Sequence, residues 1–210
     1  MSTIQGTHDN APPPRRRRRT AEVARREILD AAAAVLGDRG LAELSVEALM
    51  AATDMQRPSF YHYFGGLPDV LLCLLDEAQD DLIASAMPYI AGERRGAAGL
   101  ADAILASAES WAKHRDILLA VHDHTGDRRV AERYRAIVDE WANVAALRLK
   151  AERREGRTTV KRPDAVAAAL TLMNSNVFAD RLGRSRENPA AVASVLSQIW
   201  ISTVYPDMRV

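Results

Sequence analysis

The stretch LSVEALMAATDMQRPSFYHYF, Leu44 to Phe64, puts four of the chain's eleven aromatic residues into its last five positions, just after a proline. Ser45 is a good N-cap for a short helix to about Ala52, with Glu47 in the first turn meeting the positive end of the helix dipole. The three residues Thr53 to Met55 break the pattern, and Pro58 falls early in the next helix, where its missing N–H costs little. On that second helix Phe60 and Phe64 lie four apart and share one face, with Val46 and Leu49 as the facing wall; these are core positions. Arg57 and Tyr61 also lie four apart, on another face, with Ser59, His62 and Tyr63 around the sides. Amphipathic hydrogen-bonding side chains of this kind reach phosphates and base edges. A short helix, a tight turn and a second helix with such a face make a helix-turn-helix. Arginine can bond guanine O6 and N7 bidentately, and Pro58 or a tyrosine ring can touch a thymine methyl.

Charge upstream of this unit points the same way. From Arg15 to Arg26 seven arginines stand against one glutamate, whereas from Glu27 to Phe64 two arginines stand against six acidic residues. A basic arm ahead of a mildly acidic body suits a polyanion. Met1 to Pro14 is polar and ends in three prolines, which favour extended chain. Residues 1–19 are expected to form a disordered arm whose Arg15, Arg16, Arg17, Arg18 and Arg19 meet DNA phosphates. The net charge of the whole chain is zero.

Beyond Thr20 nearly everything reads as helix, and the expected fold is all-α with about nine helices. Ile28, Ala31, Ala32, Val35 and Leu36 follow helical periodicity up to Gly40. Further helices are expected over Pro68–Ala86, Ala98–His114, Arg115–His124, Arg128–Glu155, Pro163–Leu182 and Pro189–Val204, with Gly or Pro at most of the joints. The division expected is an arm (1–19), a three-helix DNA-binding domain (20–66) and a helical ligand-binding and dimerisation domain (67–210). One cysteine, Cys73, permits no disulfide framework, no apolar run suits a membrane span, and no secretory signal is evident. A cytoplasmic location, with no membrane partner, is therefore expected. His122, Asp123 and His124 resemble a metal cluster, but positions i and i+2 on a helix diverge too far to share a ligand; a solvated helix end is expected there instead. No HExxH, P-loop, GxSxG or CxxC motif occurs, so neither an enzyme, a metal site nor a cofactor is expected.

Leu44 to Ala78 resembles the DNA-binding region of TetR-type bacterial repressors, chiefly through Pro58, Ser59, Phe60, Tyr61, Tyr63 and Phe64. The resemblance implies that Arg57, Pro58, Ser59, Tyr61, His62 and Tyr63 face an operator on double-stranded DNA, with Ser45 near a phosphate. Three positions depart from the family pattern. Asp54 stands where the turn commonly has Gly, and Gln56 stands where a Ser or Thr cap is common. Leu67 replaces the usual phosphate-binding Lys, a loss of about one unit of salt slope. Arg15 to Arg19, with Arg25 and Arg26, are expected to make up that deficit, by entering an adjacent minor groove.

Farther on, ALTLMNSNVFADRL, VLSQIWISTVY and DEWANVAALRLKAERREG resemble the EthR-like branch of the family, typified by the mycobacterial ethionamide-resistance regulator. That branch implies homodimers with an aromatic-lined tunnel for elongated apolar ligands, whose binding pushes the two DNA-binding heads apart. Trp141, Asn174 and Trp200 match tunnel positions, Tyr134 stands where another aromatic occurs, and Trp111 and Phe178 match by neighbourhood. An asparagine inside an apolar run needs a partner if buried, and an apolar cavity with a few placed polar groups is how ligand sites are built. Ala165, Ala168, Ala169 and Leu172, with Val192, Val195, Leu196 and Ile199, are expected to form an isologous four-helix interface. The function expected is a ligand-responsive repressor that binds a pseudo-palindromic operator as a homodimer and is released by a small hydrophobic effector. The alternative is a ligand-independent architectural or activating helix-turn-helix protein; an arginine arm on anionic membrane lacks the apolar face that anchoring needs.

Overall fold

The computed structural model describes residues 20–124 and 126–206; the arm expected over residues 1–19 lies outside them. Nine α-helices and no strand occur among the described residues. They are α1 (Ala21–Arg39), α2 (Val46–Thr53), α3 (Arg57–Tyr63), α4 (Leu67–Ile90), α5 (Gly96–Lys113), α6 (Arg115–Asp123), α7 (Arg128–Arg154), α8 (Pro163–Val177) and α9 (Pro189–Val204). A single 3₁₀ turn, Leu41–Glu43, joins α1 to α2, and a π-helical segment, Phe178–Arg184, follows α8.

Local chemistry sets most of these boundaries. Thr20 caps α1 by accepting from the Val23 N–H at 3.3 Å, and the stripe Ile28, Ala32, Val35 and Leu36 is buried. Gly40, at φ +80°, ends the helix and donates back to the Leu36 carbonyl. Ser45 accepts from the Ala48 N–H at 3.1 Å and starts α2. Asp54 takes the left-handed conformation, φ 52°, in the turn to α3, which Asp adopts more readily than most non-glycine residues.

Three helices differ in extent from their sequence reading. α4 runs past Ala86 to Ile90 with Pro88 in its last turn, where a proline forfeits only one hydrogen bond. α5 starts at Gly96 because that N–H finds the Glu152 carboxylate, 3.3 Å away, at the positive end of the helix dipole. α8 stops at Val177 and widens into the π segment instead of continuing as α-helix to Leu182. Gly183, within that segment, is packed against Trp111 and Leu119, and a Cβ there would come 3.0 Å from the indole.

One continuous core runs from Phe60 and Phe64 through the length of α4 to Trp200 and Tyr205. α4 is the spine: it packs on α1 at one end and on α5, α6 and α7 along its length. No helix among the described residues is long and apolar enough to cross a membrane.

Candidate functional site

In the N-terminal three-helix head, Phe60 is fully buried and Phe64 nearly so, their rings 5.8 Å apart, and both share the core with Val46 and Leu49. Burial of that face turns the other one outward. Arg57, Pro58, Tyr61 and His62 are exposed, Tyr61 by 51%, while Ser59 and Tyr63 are half-buried. The Tyr63 ring meets His62 edge-on and leans on the core, so only part of it is presented. Arg57 spans the two helices: one amino group lies 2.5 Å from Glu47 on α2, and the other donates to the Tyr61 hydroxyl at 3.3 Å. The face is thus a row of hydrogen-bonding groups held in register by α2. Gln56 provides no side-chain cap for α3, and Leu67 packs against the core.

Arg25 and Arg26, expected to join the basic arm, are exposed on α1 and also make contacts within the chain. Arg25 donates to the Cys73 sulfur at 2.7 Å and lies over the Phe64 ring, while Arg26 pairs with Asp30 and with Glu77 on α4. Helical periodicity places them on the side of α1 that packs against α4, which their sequence neighbourhood does not reveal. Arg15 to Arg19 lie outside the described residues.

A cavity of about 140 Å³ lies among α4 to α9. Its lining includes Trp111, Tyr134, Trp141, Asn174, Phe178 and Trp200, so six side chains from five separate segments meet there. Two hydrogen bonds join polar groups of this lining. The Trp200 indole N–H donates to the Asn174 side-chain oxygen at 3.0 Å, and the Tyr134 and Ser175 hydroxyls are 2.9 Å apart. Burial pushes the Tyr134 hydroxyl above its ordinary pKa, partly offset by Ser175. The π segment brings Phe178 to within 6.2 Å of the Trp111 ring. Because an indole N–H only donates, the amide oxygen of Asn174 is fixed towards Trp200 and its NH₂ group is left for other partners.

Gln79 was not singled out in the sequence. It is buried on α4 and accepts from the Trp141 indole N–H at 3.0 Å. Its only sequence signal is an amide amid the apolar positions of α4. With it come two ion pairs between the same helices, Arg129 to Asp69 at 2.9 Å and Arg133 to Asp76 at 3.0 Å. α7 therefore grips α4 from the cavity wall down to the helix start beside the head.

His122 is not a solvated helix end. Its side chain is 21% exposed, bonds Asp123 at 2.8 Å and meets Tyr134 edge-on, and Asp123 pairs with Arg184. Among the described residues no group of three or more His, Cys, Asp or Glu side chains could hold a metal.

On α8 and α9, Leu172 and Val195 are more than half exposed, and Ile199, Ala165, Ala168 and Ala169 also face outward. Val192 and Leu196, expected beside them, are buried in the chain's own core. The stripe at 192 and 196 faces α5, and the adjacent stripe at 195 and 199 faces away.

Residues 100–206 match the family model described as the transcriptional regulator EthR, C-terminal domain, and residues 28–67 match that for bacterial regulatory proteins of the tetR family. The chain is 30% identical over 188 residues to the HTH-type transcriptional regulator EthR of Mycobacterium tuberculosis, covering 87% of each. Its fold is similar to that of the regulator FadR from Bacillus subtilis in complex with stearoyl-CoA, with a TM-score of 0.70, 15% identity and coverage of 85% of this chain and 98% of that one. A SmeT–triclosan complex aligns with a TM-score of 0.69 and 17% identity over 88% of this chain and 93% of that one.

Proposed function

This chain belongs to the TetR family of bacterial transcriptional regulators, with an EthR-type C-terminal domain, and from that premise we propose that it is a ligand-responsive repressor, released from its operator by a small apolar effector. The observation that carries the proposal is the hydrogen bond from Trp141, in the cavity wall, to Gln79 on α4, the helix leading directly from the reading head. An effector that displaces Trp141 acts on α4 through this bond and through the Arg129 and Arg133 ion pairs. Stearoyl-CoA in FadR and triclosan in SmeT are consistent with an apolar ligand in such a fold.

Operator contact falls to Arg57, Pro58, Ser59, Tyr61, His62 and the outer part of Tyr63, with Ser45 near a phosphate and Arg15 to Arg19 as a further basic contact. A single short reading helix touches few bases, so specificity calls for a symmetric pair of heads on a pseudo-palindrome. The exposed apolar face of Leu172, Val195 and Ile199, with the three alanines of α8, supports a homodimer built on α8 and α9. The effector then stabilises a dimer whose heads no longer match the half-site spacing.

Two substitutions separate these parts. Tyr61→Ala is expected to weaken operator binding by about 1–3 kcal/mol while leaving the melting temperature unchanged, because the ring is exposed; unchanged affinity in an anisotropy titration would remove Tyr61 from the reading face. Trp141→Ala removes a cavity wall and the bond to Gln79, and is expected to weaken the response to effector by about tenfold or more with operator affinity preserved. Loss of both activities would make Trp141 a core residue and break the link from cavity to head. A panel of apolar compounds that leaves both melting temperature and operator affinity untouched would favour the ligand-independent alternative.

A further inference from the structure

A second cavity of about 80 Å³ adjoins the first, and Ser107, Trp141, Ala145, Asn174 and Trp200 line both. The Trp141 and Trp200 indoles therefore stand between the two chambers. What the second chamber has and the first lacks is a charged group. Arg148 lines it, is only 7% exposed, lies 5.5 Å from the Tyr89 ring centroid, and leaves its buried Nε without a hydrogen-bond partner. The backbone is cut away to admit it: Gly92 sits at φ +80°, and a Cβ there would come 2.7 Å from the guanidinium.

The ion pair of Arg148 leaves one of its donors unused. Arg148 donates to Glu152, which is fully buried and also accepts from Arg157 at 2.8 Å and from the Gly96 N–H. Arg157 and Arg95 in turn share Glu155. Of these groups only Arg148 and Glu152 are buried, and their charges balance, whereas Arg95, Arg157 and Glu155 reach solvent. What stays unmet inside is the Arg148 Nε–H, and a buried donor without a partner is costly. A carboxylate beside Arg148 would take that free Nε–H in a charge-assisted hydrogen bond.

Building on the effector reading of the first chamber, we propose that the second chamber is an anion subsite and that the effector is an apolar monocarboxylic acid. The carboxylate passes the Trp141 and Trp200 indoles and lies against Arg148. The apolar body fills the first chamber, whose volume is close to that of a cavity of about 150 Å³ known to take benzene. The class that fits is a ring or short branched body joined to its carboxylate by a thin alkyl linker.

The test uses the full chain near neutral pH and three isosteric probes: 4-phenylbutanoate, 4-phenylbutanamide and 4-phenylbutan-1-ol, compared by calorimetric titration. The acid is expected to bind about tenfold tighter than either neutral probe, as one charge-assisted hydrogen bond allows. Arg148→Lys keeps the charge but loses the Nε donor, and is expected to abolish most of that preference. The wild-type comparison decides the matter even if the variant fails to fold. Binding of the alcohol and amide with no preference for the acid overturns the subsite and leaves the effector reading standing. An acid preference that persists in a folded Arg148→Lys chain overturns the assignment to Arg148. No binding of any probe overturns both.

Discussion

Replacing Phe60 with alanine is expected to destabilise the protein by about 3–5 kcal/mol, the usual cost of emptying a fully buried phenylalanine site, and to abolish operator binding with it. Phe60 is completely buried, and its ring touches both Tyr61 and Phe64. α3 has only seven residues, too short to hold its shape without tertiary packing. Its outward face exists only because its inward face is anchored. Urea unfolding of Phe60→Ala beside Tyr61→Ala separates the two roles. The first should lower the midpoint strongly, whereas the second should leave it unmoved and still weaken DNA binding. A Phe60→Ala chain as stable as the wild type would mean that α3 is held by something other than this core.

Glu152→Gln is the second large effect. Glu152 is fully buried at the meeting point of α5 and α7, accepting from Arg148, Arg157 and the Gly96 N–H. Removing its charge leaves the buried Arg148 guanidinium uncompensated, and breaking such a buried pair costs about 3–5 kcal/mol. Burial alone would raise the carboxyl's pKa, but the Arg148, Gly96 and Arg157 hydrogen bonds outweigh it and hold the carboxyl below its ordinary range. A carboxyl with a depressed folded-state pKa stabilises the fold above the unfolded-state value and loses that contribution as pH falls through the folded-state value. The gap in melting temperature between wild type and Glu152→Gln is therefore expected to be full at neutral pH and to narrow only in acid. A gap that does not change with pH would show that the charge is not what matters.

The helix-turn-helix was legible because its determinants are local. Ser45 caps within three residues, Pro58 sits at the start of α3, and Phe60 and Phe64 declare a buried face by spacing alone. The cavity was different. Trp111, Trp141 and Trp200 lie on three helices far apart in the chain, and no periodicity indicates that they converge; only family resemblance named them together. Gln79 was missed because its partner lies 62 residues away on α7. Arg148 and Glu152, spaced i and i+4, give no local sign that α5 and the Gly92 turn close over them. The partners of Arg25 and Arg26 were hidden in the same way: Cys73 and Glu77 become neighbours only when α1 packs on α4. Contacts made by helix packing, and not by helix formation, were the ones the chain concealed.

Operator recognition is tested most directly by titrating the full chain against a fluorescent duplex from upstream of its own coding sequence, by anisotropy, at several salt concentrations with competitor DNA. Tight binding that survives competitor and saturates at a dimer, or a dimer of dimers, per duplex is the expected result. Weak binding that follows salt alone and yields to competitor would contradict it, leaving only the basic arm in contact with DNA.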